Sequence, residues 1–456
     1  MNVIMKFGGT SVADADAMRR VISIAKDERA AHPNAQPPVI VVSAMSKVTD
    51  RLVEIGRLTN QGSGDEAARL VAELLDRHLG VARGLVSGPA LAALTSELER
   101  EFGELTSLVR TLAPLHEVSP RSTDAILAMG ELASSHIVAA ACVAQGVPAV
   151  WVDARSVLVT DGEHMAALPD MEATCRRTAQ HVGSPLREGK VPVLGGFIGA
   201  SGDGVTTTLG RGGSDYSAAI FGACLNVDEI QIWTDVDGML TADPRIVPSP
   251  KLVPQLTFDE ASELAYFGAK VLHPSTILPA VARNIPVRIL NSKRPEVSGT
   301  RITTEPRQDG STVTALACKR GVTVVDITSS RMLMAHGFLR RLFEVFERFR
   351  TPVDVVTTSE VSVSVTVDNP RRLADIVSNL EAFASVGCEP DMAIICVVGE
   401  KLRTDASLFG RAVTSLEGIP LRLVSQAASR RNITFVLRDA DVVEAMNRLH
   451  TAVCEG

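Results

Sequence analysis

Val3-Ile4-Met5-Lys6-Phe7 runs straight into Gly8-Gly9-Thr10-Ser11, a short apolar strand ending in paired glycines. Glycines after a strand let backbone N–H groups approach an anion, and a helix that follows adds its positive N-terminal end. Lys6 supplies a point charge of the kind that steadies a transferring phosphoryl group. The stretch is no Walker loop, because no Gly-Lys-Ser/Thr follows at the required spacing. Taken alone, it is equally compatible with an ordinary strand-to-helix turn. Three further runs share its design. Pro38–Ser43 is an apolar run ending in a hydroxyl, Val191–Phe197 carries Gly195-Gly196, and Glu229–Thr234 is followed by Asp235. Each places polar or glycine residues at the strand's C-terminal end, the edge where open α/β sheets bind ligands. Alternation of such strands with helical stretches over the first ~290 residues predicts an α/β domain with a mainly parallel sheet.

Between Asp65 and Val143 the pattern is helical, broken at Pro89, Pro114 and Pro120. Asn291–Gly310 is polar, carries Pro295, Gly299, Pro306 and Gly310, and reads as a linker. The remainder holds an internal repeat. Gly337–Arg350 predicts an amphipathic helix, followed by Pro352–Ser359 and an alternating strand, Val361–Val367. Leu408–Leu416 repeats the helix, Pro420–Ser425 the Pro-to-Ser segment and Asn432–Leu437 the strand. Each copy closes on a helix, Pro370–Phe383 or Asp439–Leu449. This order suits a small ferredoxin-like module, and the shared Pro start and Ser turn favour duplication over chance similarity. The expected division is residues 1–290 as the α/β domain, 291–310 as linker, and modules over 311–388 and 389–456.

A chain of 456 residues exceeds the usual reach of one hydrophobic core. Its apolar content of 45% is enough to bury several cores, and its formal net charge of −7 argues against a nucleic-acid partner. The seven cysteines are odd in number, scattered and without metal-type spacing, so reduced thiols in a cytoplasmic setting are expected. No basic segment or long apolar run precedes the first strand, so neither a signal peptide nor a membrane span is expected.

Further loops carry chemistry. Thr206-Thr207-Thr208-Leu209-Gly210-Arg211-Gly212-Gly213-Ser214-Asp215 combines hydroxyls, glycines, a cation and a carboxylate before an apolar helix. Arg211 beside Ser214 can grip a carboxylate in two-pronged fashion; Asp215 also stands where a helix cap belongs. Thr234-Asp235-Val236-Asp237-Gly238 and Thr241-Ala242-Asp243-Pro244-Arg245 suit a nucleotide with its magnesium, although Asp-Gly and Asp-Pro are also common turn pairs. Lys270, in Phe267–Pro274, is either a second phosphate cation or a solvated helix residue.

Together, Lys6–Ser11, Gly210–Asp215, Thr234–Arg245 and Phe267–Pro274 resemble the signature segments of aspartate kinase, in the amino acid kinase superfamily. The resemblance spans essentially the whole chain, because the C-terminal repeat is similar to the paired ACT modules of those enzymes. It implies a three-layer αβα amino acid kinase domain followed by two βαββαβ ACT modules. The run Asp354–Val363 most resembles the monofunctional, lysine-inhibited type. The implied reaction converts ATP and L-aspartate to ADP and 4-phospho-L-aspartate, the first step toward lysine, threonine, methionine and diaminopimelate.

By that resemblance Lys6, Gly8 and Gly9 line the phosphate path, and Asp215 is the acid that orients the catalytic lysine. Ser43, Thr49, Glu131, Phe197, Arg211 and Ser214 match the aspartate pocket, with Arg211 toward a substrate carboxylate and Glu131 toward the ammonium. Thr234, Asp235, Leu240, Arg245 and Lys270 match nucleotide contacts; Leu240 stands where the family commonly has an aromatic, so ring stacking on adenine is lost. ATP is the implied co-substrate, with Mg²⁺. The acceptor carboxyl is already ionised at neutral pH, with an unperturbed pKa of ~3.9, so no general base is needed. Rival readings are a relative acting on glutamate, N-acetylglutamate, carbamate or UMP, and an amino-acid sensor with an inactive kinase domain.

L-Lysine is the expected inhibitor, with Asp354 and Glu360 as its carboxylates unless they merely solvate a sheet edge; by the resemblance, Met332, Ala335, Phe338, Leu339, Val353 and Ser359 complete the pocket. Alignment of the copies on Pro352 and Pro420 sets Asp354 opposite Arg422, and Glu360 falls where the second copy runs Ser429-Arg430-Arg431. Lysine's side-chain ammonium needs a carboxylate, so only the first copy is expected to bind it, the guanidinium groups of the second repelling it. Self-association as a homodimer or homotetramer through the ACT modules is also expected.

Overall fold

β1 (Val3–Phe7) and β2 (Val39–Val42) are buried along their whole length, as runs of Val, Ile and Met must be when both faces of a sheet are covered. The computed structural model describes residues 1–268, 274–307, 310–329, 336–426 and 430–455. Its chain separates into two compact units. The first comprises Met1–Met239, Pro254–Phe258 and Val271–Glu305, and the second Leu240–Val253, Asp259–Lys270 and Pro306–Gly456, counting the described residues of each.

The first unit adds β3 (Ala149–Trp151), β4 (Val159–Thr160), β5 (Val191–Gly195), β6 (Ile198–Ser201), β7 (Thr206–Thr208), β8 (Glu229–Thr234), β9 (Gln255–Thr257), β10 (Val287–Asn291) and β11 (Thr300–Thr303). Eight of these strands form one sheet in the order β3-β5-β2-β1-β8-β10-β11-β9. The run from β3 to β10 is parallel, and β11 turns antiparallel against β10. A smaller sheet, β4-β6-β7, carries Thr206–Thr208, which leads into the Gly210–Asp215 loop. Because β1, β2, β5 and β8 run in one direction, their C-terminal ends bring Gly8, Ser43, Gly196 and Asp235 to one edge.

Helices of this unit are α1 (Ala15–Ala31), α2 (Val48–Asn60), α3 (Gly64–Arg83), α4 (Gly88–Leu112), α5 (Pro120–Ala144), α6 (Met171–His181), α7 (Gly183–Arg187), α8 (Gly213–Leu225) and α10 (Leu278–Ala282), while α9 (Phe258–Tyr266) belongs from Asp259 onward to the second. Asp14 caps α1 by accepting from the Ala17 amide. The expected breaks at Pro89 and Pro120 fall in the first turns of α4 and α5, where a missing N–H costs nothing. α5 is long and apolar enough to cross a membrane, but 83% of its apolar window is buried inside the protein, which marks it as a core helix.

Two expectations need correction. Thr300–Thr303 is a strand inside the expected linker, with Thr300 and Ile302 fully buried. A four-residue strand with one large apolar residue carries no readable alternation. Cys175 on α6 and Cys224 on α8 form a disulfide, where all seven cysteines were expected to be thiols. The two are separated by 49 residues and meet only because α6 packs on α8. Closing such a loop removes about 4 kcal/mol of unfolded-chain entropy. Thermal unfolding should therefore shift to lower temperature with dithiothreitol and in Cys175→Ser; an unchanged midpoint in both would contradict the bond.

The second unit contributes β12 (Val313–Thr328), α11 (Phe338–Arg348), β13 (Val356–Thr358), β14 (Ser362–Val367), α12 (Leu373–Glu381), β15 (Ser385–Gly399), α13 (Ala406–Ser415), β16 (Leu423–Gln426), β17 (Asn432–Arg438) and α14 (Val442–Cys454). One six-stranded sheet runs β13-β14-β12-β15-β17-β16. The two long strands are shared: Thr323–Thr328 pairs with β14, and Met392–Val398 pairs with β17. Consequently the first module is nested within the second rather than following it in tandem. Register shifts near Arg320, Val322 and Val324 mark where β12 passes from one module to the other. Each module has its own apolar core, one around Leu342, Phe346 and Ile376 and the other around Leu408, Phe435 and Met446.

Candidate active site

Lys6 closes the loop of interactions that the first strand begins. Its Nζ lies 2.6 Å from Asp215 Oδ1, with both side chains mostly shielded from water. Asp215 sits in the first turn of α8, where the helix's N-terminal end also favours a carboxylate. The pair joins the two glycine-rich loops that the sequence singled out. Gly8 donates its amide to the Trp233 carbonyl at 3.0 Å, and Ser46 donates to Gly9 at 3.0 Å. A Cβ on Gly9 would come within 2.9 Å of the Ala44 carbonyl, so only glycine allows this approach of backbone to backbone. Ser11 is pinned to Ser292 at 2.7 Å, which ties the loop after β1 to the end of β10.

Glu131 projects from α5 and is buried, and its Oε2 has no hydrogen-bond partner. Burial pushes its carboxyl up to about 8, against the opposing pull of the Ala44 amide and Lys6. A carboxyl stored in this way is poised for a cationic ligand group. Ser43 is fixed beside the same helix, its carbonyl accepting from Ser134 Oγ at 2.8 Å. Phe197 adopts a left-handed backbone, φ 67°, while its amide donates to Ser217 Oγ at 2.9 Å. An aromatic residue held there stores strain, a common property of ligand-contacting positions. Ser214 is buried in the first turn of α8, and Thr49 is exposed near the start of α2. Arg211 is exposed and makes no ion pair among the described residues, leaving its guanidinium available.

Thr234 and Asp235 stand at the C-terminal end of β8, with Thr234 Oγ1 donating to Asp235 at 3.3 Å. Asp237 is taken up by Asn291 at 2.6 Å and by Arg294, so it closes the turn and leaves Asp235 as the exposed acid. Leu240 and Arg245 belong to the second unit. There Leu240 bridges to Leu252, and the Arg245 guanidinium donates to Asp243 from Nε at 3.0 Å and from Nη2 at 2.6 Å. Lys270 lies outside the described residues.

Within the second unit, Asp354 has a side chain only 3% exposed and pairs with Lys319 at 2.8 Å. That partner was not legible in the sequence, because Lys319 sits on β12 and reaches Asp354 only through the folded sheet. Lys319 also lies over the Tyr266 ring, 4.8 Å from its centre. Phe338 and Leu339 open α11, and Val353 accepts from the Tyr266 hydroxyl at 3.5 Å. Ser359 closes the turn into β14 through Ser362 Oγ at 2.7 Å, and Glu360 is exposed in that turn. Met332 and Ala335 lie outside the described residues. Two of the guanidinium groups expected to repel a cation in the second copy already have carboxylate partners. Arg422 is held by Asp326 and by Glu389 at 3.0 Å, and Arg431 by Glu400 at 2.7 Å and Asp259 at 3.0 Å. Their charge is already matched by carboxylates.

A sequence profile of the amino acid kinase family matches residues 1–291, and one of the ACT domain matches 395–453. Lysine-sensitive aspartokinase 3 of Escherichia coli is 34% identical, covering 99% of both chains. The chain belongs to the aspartokinases. The chloroplastic aspartokinase 3 of Arabidopsis thaliana is 36% identical over 100% of this chain and 82% of its own. The crystal structure of E. coli aspartokinase III with aspartate and ADP superposes with a TM-score of 0.82 at 33% identity, covering the whole of both chains. Its complex with lysine and aspartate gives 0.81 at 34% identity over 99% of both. The aspartokinase fold expected from the residues, a mainly parallel kinase sheet with ACT modules, is therefore the fold observed.

Proposed function

We infer that the chain transfers the γ-phosphoryl group of ATP to the side-chain carboxylate of L-aspartate and is restrained by L-lysine. The observation that carries the catalytic half is the Lys6–Asp215 pair at the sheet edge, with buried Glu131 and unpaired Arg211 in the same unit. Glu131 receives the substrate ammonium and Arg211 a carboxylate, while Ser43, Thr49, Phe197 and Ser214 shape the space between. Lys6 and the glycine-loop amides steady charge on the phosphoryl oxygens, and Asp215 keeps Lys6 aimed. Mg²⁺ enters with ATP; the exposed carboxylate of Asp235 suits a cation bound chiefly by phosphate oxygens and water. Thr234 is the remaining nucleotide contact we propose in this unit; the same role for Leu240, Arg245 and Lys270 rests on the family resemblance alone. ADP release should require aspartate and fail with glutamate, N-acetylglutamate, carbamate or UMP. ADP release that depends on one of those acceptors in place of aspartate would favour another superfamily reaction, and no release with any of them an inactive sensor.

The E. coli relative is named lysine-sensitive and has been crystallised with lysine. Asp354 supports the same regulation here: it is buried, its Oδ2 lacks a hydrogen-bond partner, and its Oδ1 already accepts one ammonium, that of Lys319. Lysine's ammonium joins or replaces Lys319 there, and we propose Phe338, Leu339, Val353, Ser359 and Glu360 as further effector contacts; the same role for Met332 and Ala335 rests on the family resemblance alone. Asp354→Ala should raise the lysine concentration for half-inhibition about tenfold or more, with uninhibited turnover largely kept. Unchanged inhibition, or threonine acting as well as lysine, would contradict the assignment. The sheet's outer strands, β13 and β16, carry exposed Val356 and Val424, which supports the proposal that two or four copies associate through the ACT modules. A cytoplasmic location, with the Cys175–Cys224 pair open to reduction there, is likewise proposed, because the reaction consumes ATP.

A further inference from the structure

Asp124 is fully buried on α5, the helix that also carries Glu131. Its carboxylate accepts from Thr208 Oγ1 at 2.6 Å and from the Met165 amide at 3.1 Å, and His164 Nδ1 lies 2.6 Å away. These partners belong to two different loops. Thr208 ends β7 immediately before Leu209-Gly210-Arg211, and His164-Met165 lies in the loop after β4. The loops are joined again where Ala167 donates to the Thr208 carbonyl at 3.0 Å. Met165 is left-handed, φ 69°, a conformation that needs outside support in a long side-chain residue. Gly210 is left-handed too, and a Cβ there would meet the Met165 carbonyl at 3.0 Å, so Met165 directly underlies the turn into Arg211.

We propose that Asp124 is the positioning residue for the aspartate site: it locks the Arg211 loop to α5 and so fixes Arg211 relative to Glu131. Asp124 stands about two helical turns from Glu131 on one rigid helix. The group that receives the ammonium and the anchor of the loop that receives a carboxylate therefore share one frame. Both of its oxygens are engaged, so an amide in its place would turn an N–H group toward the Met165 amide. Asp124 itself touches no substrate. This inference rests on the aspartate kinase reading.

Steady-state kinetics of the full chain test it through Thr208→Val, which removes the hydroxyl at nearly constant volume, and Thr208→Ser, which retains the hydroxyl, with Asp124→Asn beside them. Thr208→Val should raise KM for aspartate about tenfold, because the carboxylate loses a buried donor and the loop its anchor. KM for ATP should stay within about twofold, and Thr208→Ser should restore the wild-type value. Asp124→Asn, where it folds, should exceed Thr208→Val. An unchanged aspartate KM in Thr208→Val, or an equal rise for ATP and aspartate, would overturn the proposal. Failure of the underlying reading is separately visible, as a wild-type protein that releases no ADP with aspartate.

Discussion

Lys6→Ala is expected to lower turnover about 10²-fold or more while leaving the fold intact. Lys6 sits on a central strand with its ammonium 2.6 Å from Asp215, and little else in the unit can take over its charge at that point. Removing it leaves the largely shielded Asp215 carboxylate uncompensated, so some loss of stability accompanies the loss of rate. The double variant Lys6→Met with Asp215→Asn removes both charges and separates the two effects. It should recover the thermal midpoint without recovering turnover. Near-normal turnover in Lys6→Ala would remove Lys6 from the mechanism.

Glu131→Gln is expected to cripple aspartate use and, in the absence of substrate, to make the protein more stable at alkaline pH. The carboxyl is raised from the ordinary carboxylate range to about 8 by burial. The folded chain therefore holds this proton more tightly than the unfolded chain does. Stability contributed by the protonated form is complete below the unfolded value near 4.5 and is lost as pH rises through about 8. A glutamine cannot ionise and escapes that loss. Aspartate binding should draw the proton off, because its ammonium favours the charged carboxylate. Calorimetry at pH 7 in buffers of different ionisation enthalpy should then detect proton release on binding, and KM for aspartate should fall between pH 7 and 8. Arg211→Ala should also raise KM for aspartate but keep the proton release and the fall in KM between pH 7 and 8, since Glu131 is still in place. Loss of ATP affinity in either variant, in place of aspartate affinity, would show both residues to be misassigned.

Much of the kinase unit was legible because its chemistry is local. Lys6, Gly8 and Gly9 follow one another on a strand and its turn, and Arg211, Ser214 and Asp215 occupy a single loop. Strand ends at Ser43, Gly196 and Asp235 could be aligned without coordinates, since parallel strands share one C-terminal edge. What escaped was pairing across the fold. Asp124 looks like any polar residue in the first half of a helix, and nothing near it in the chain announces Thr208 or His164. Lys319 and Asp354 are likewise strangers in sequence, and so are Cys175 and Cys224. The nesting of the modules was hidden for another reason. β12 and β15 are each one unbroken strand, and the glycine and proline within them, Gly321 and Pro390, read in the sequence as strand-ending turns where the chain in fact continues from one module into the other.

The central claim is that the γ-phosphoryl group ends on the side chain of aspartate. An acyl phosphate is trapped by hydroxylamine, so incubating the protein with ATP, Mg²⁺, L-aspartate and hydroxylamine should yield aspartate β-hydroxamate in step with ADP. Formation should stop in Lys6→Ala and fall when lysine is added. ADP released without hydroxamate, or hydroxamate formed equally well from glutamate, would contradict the account.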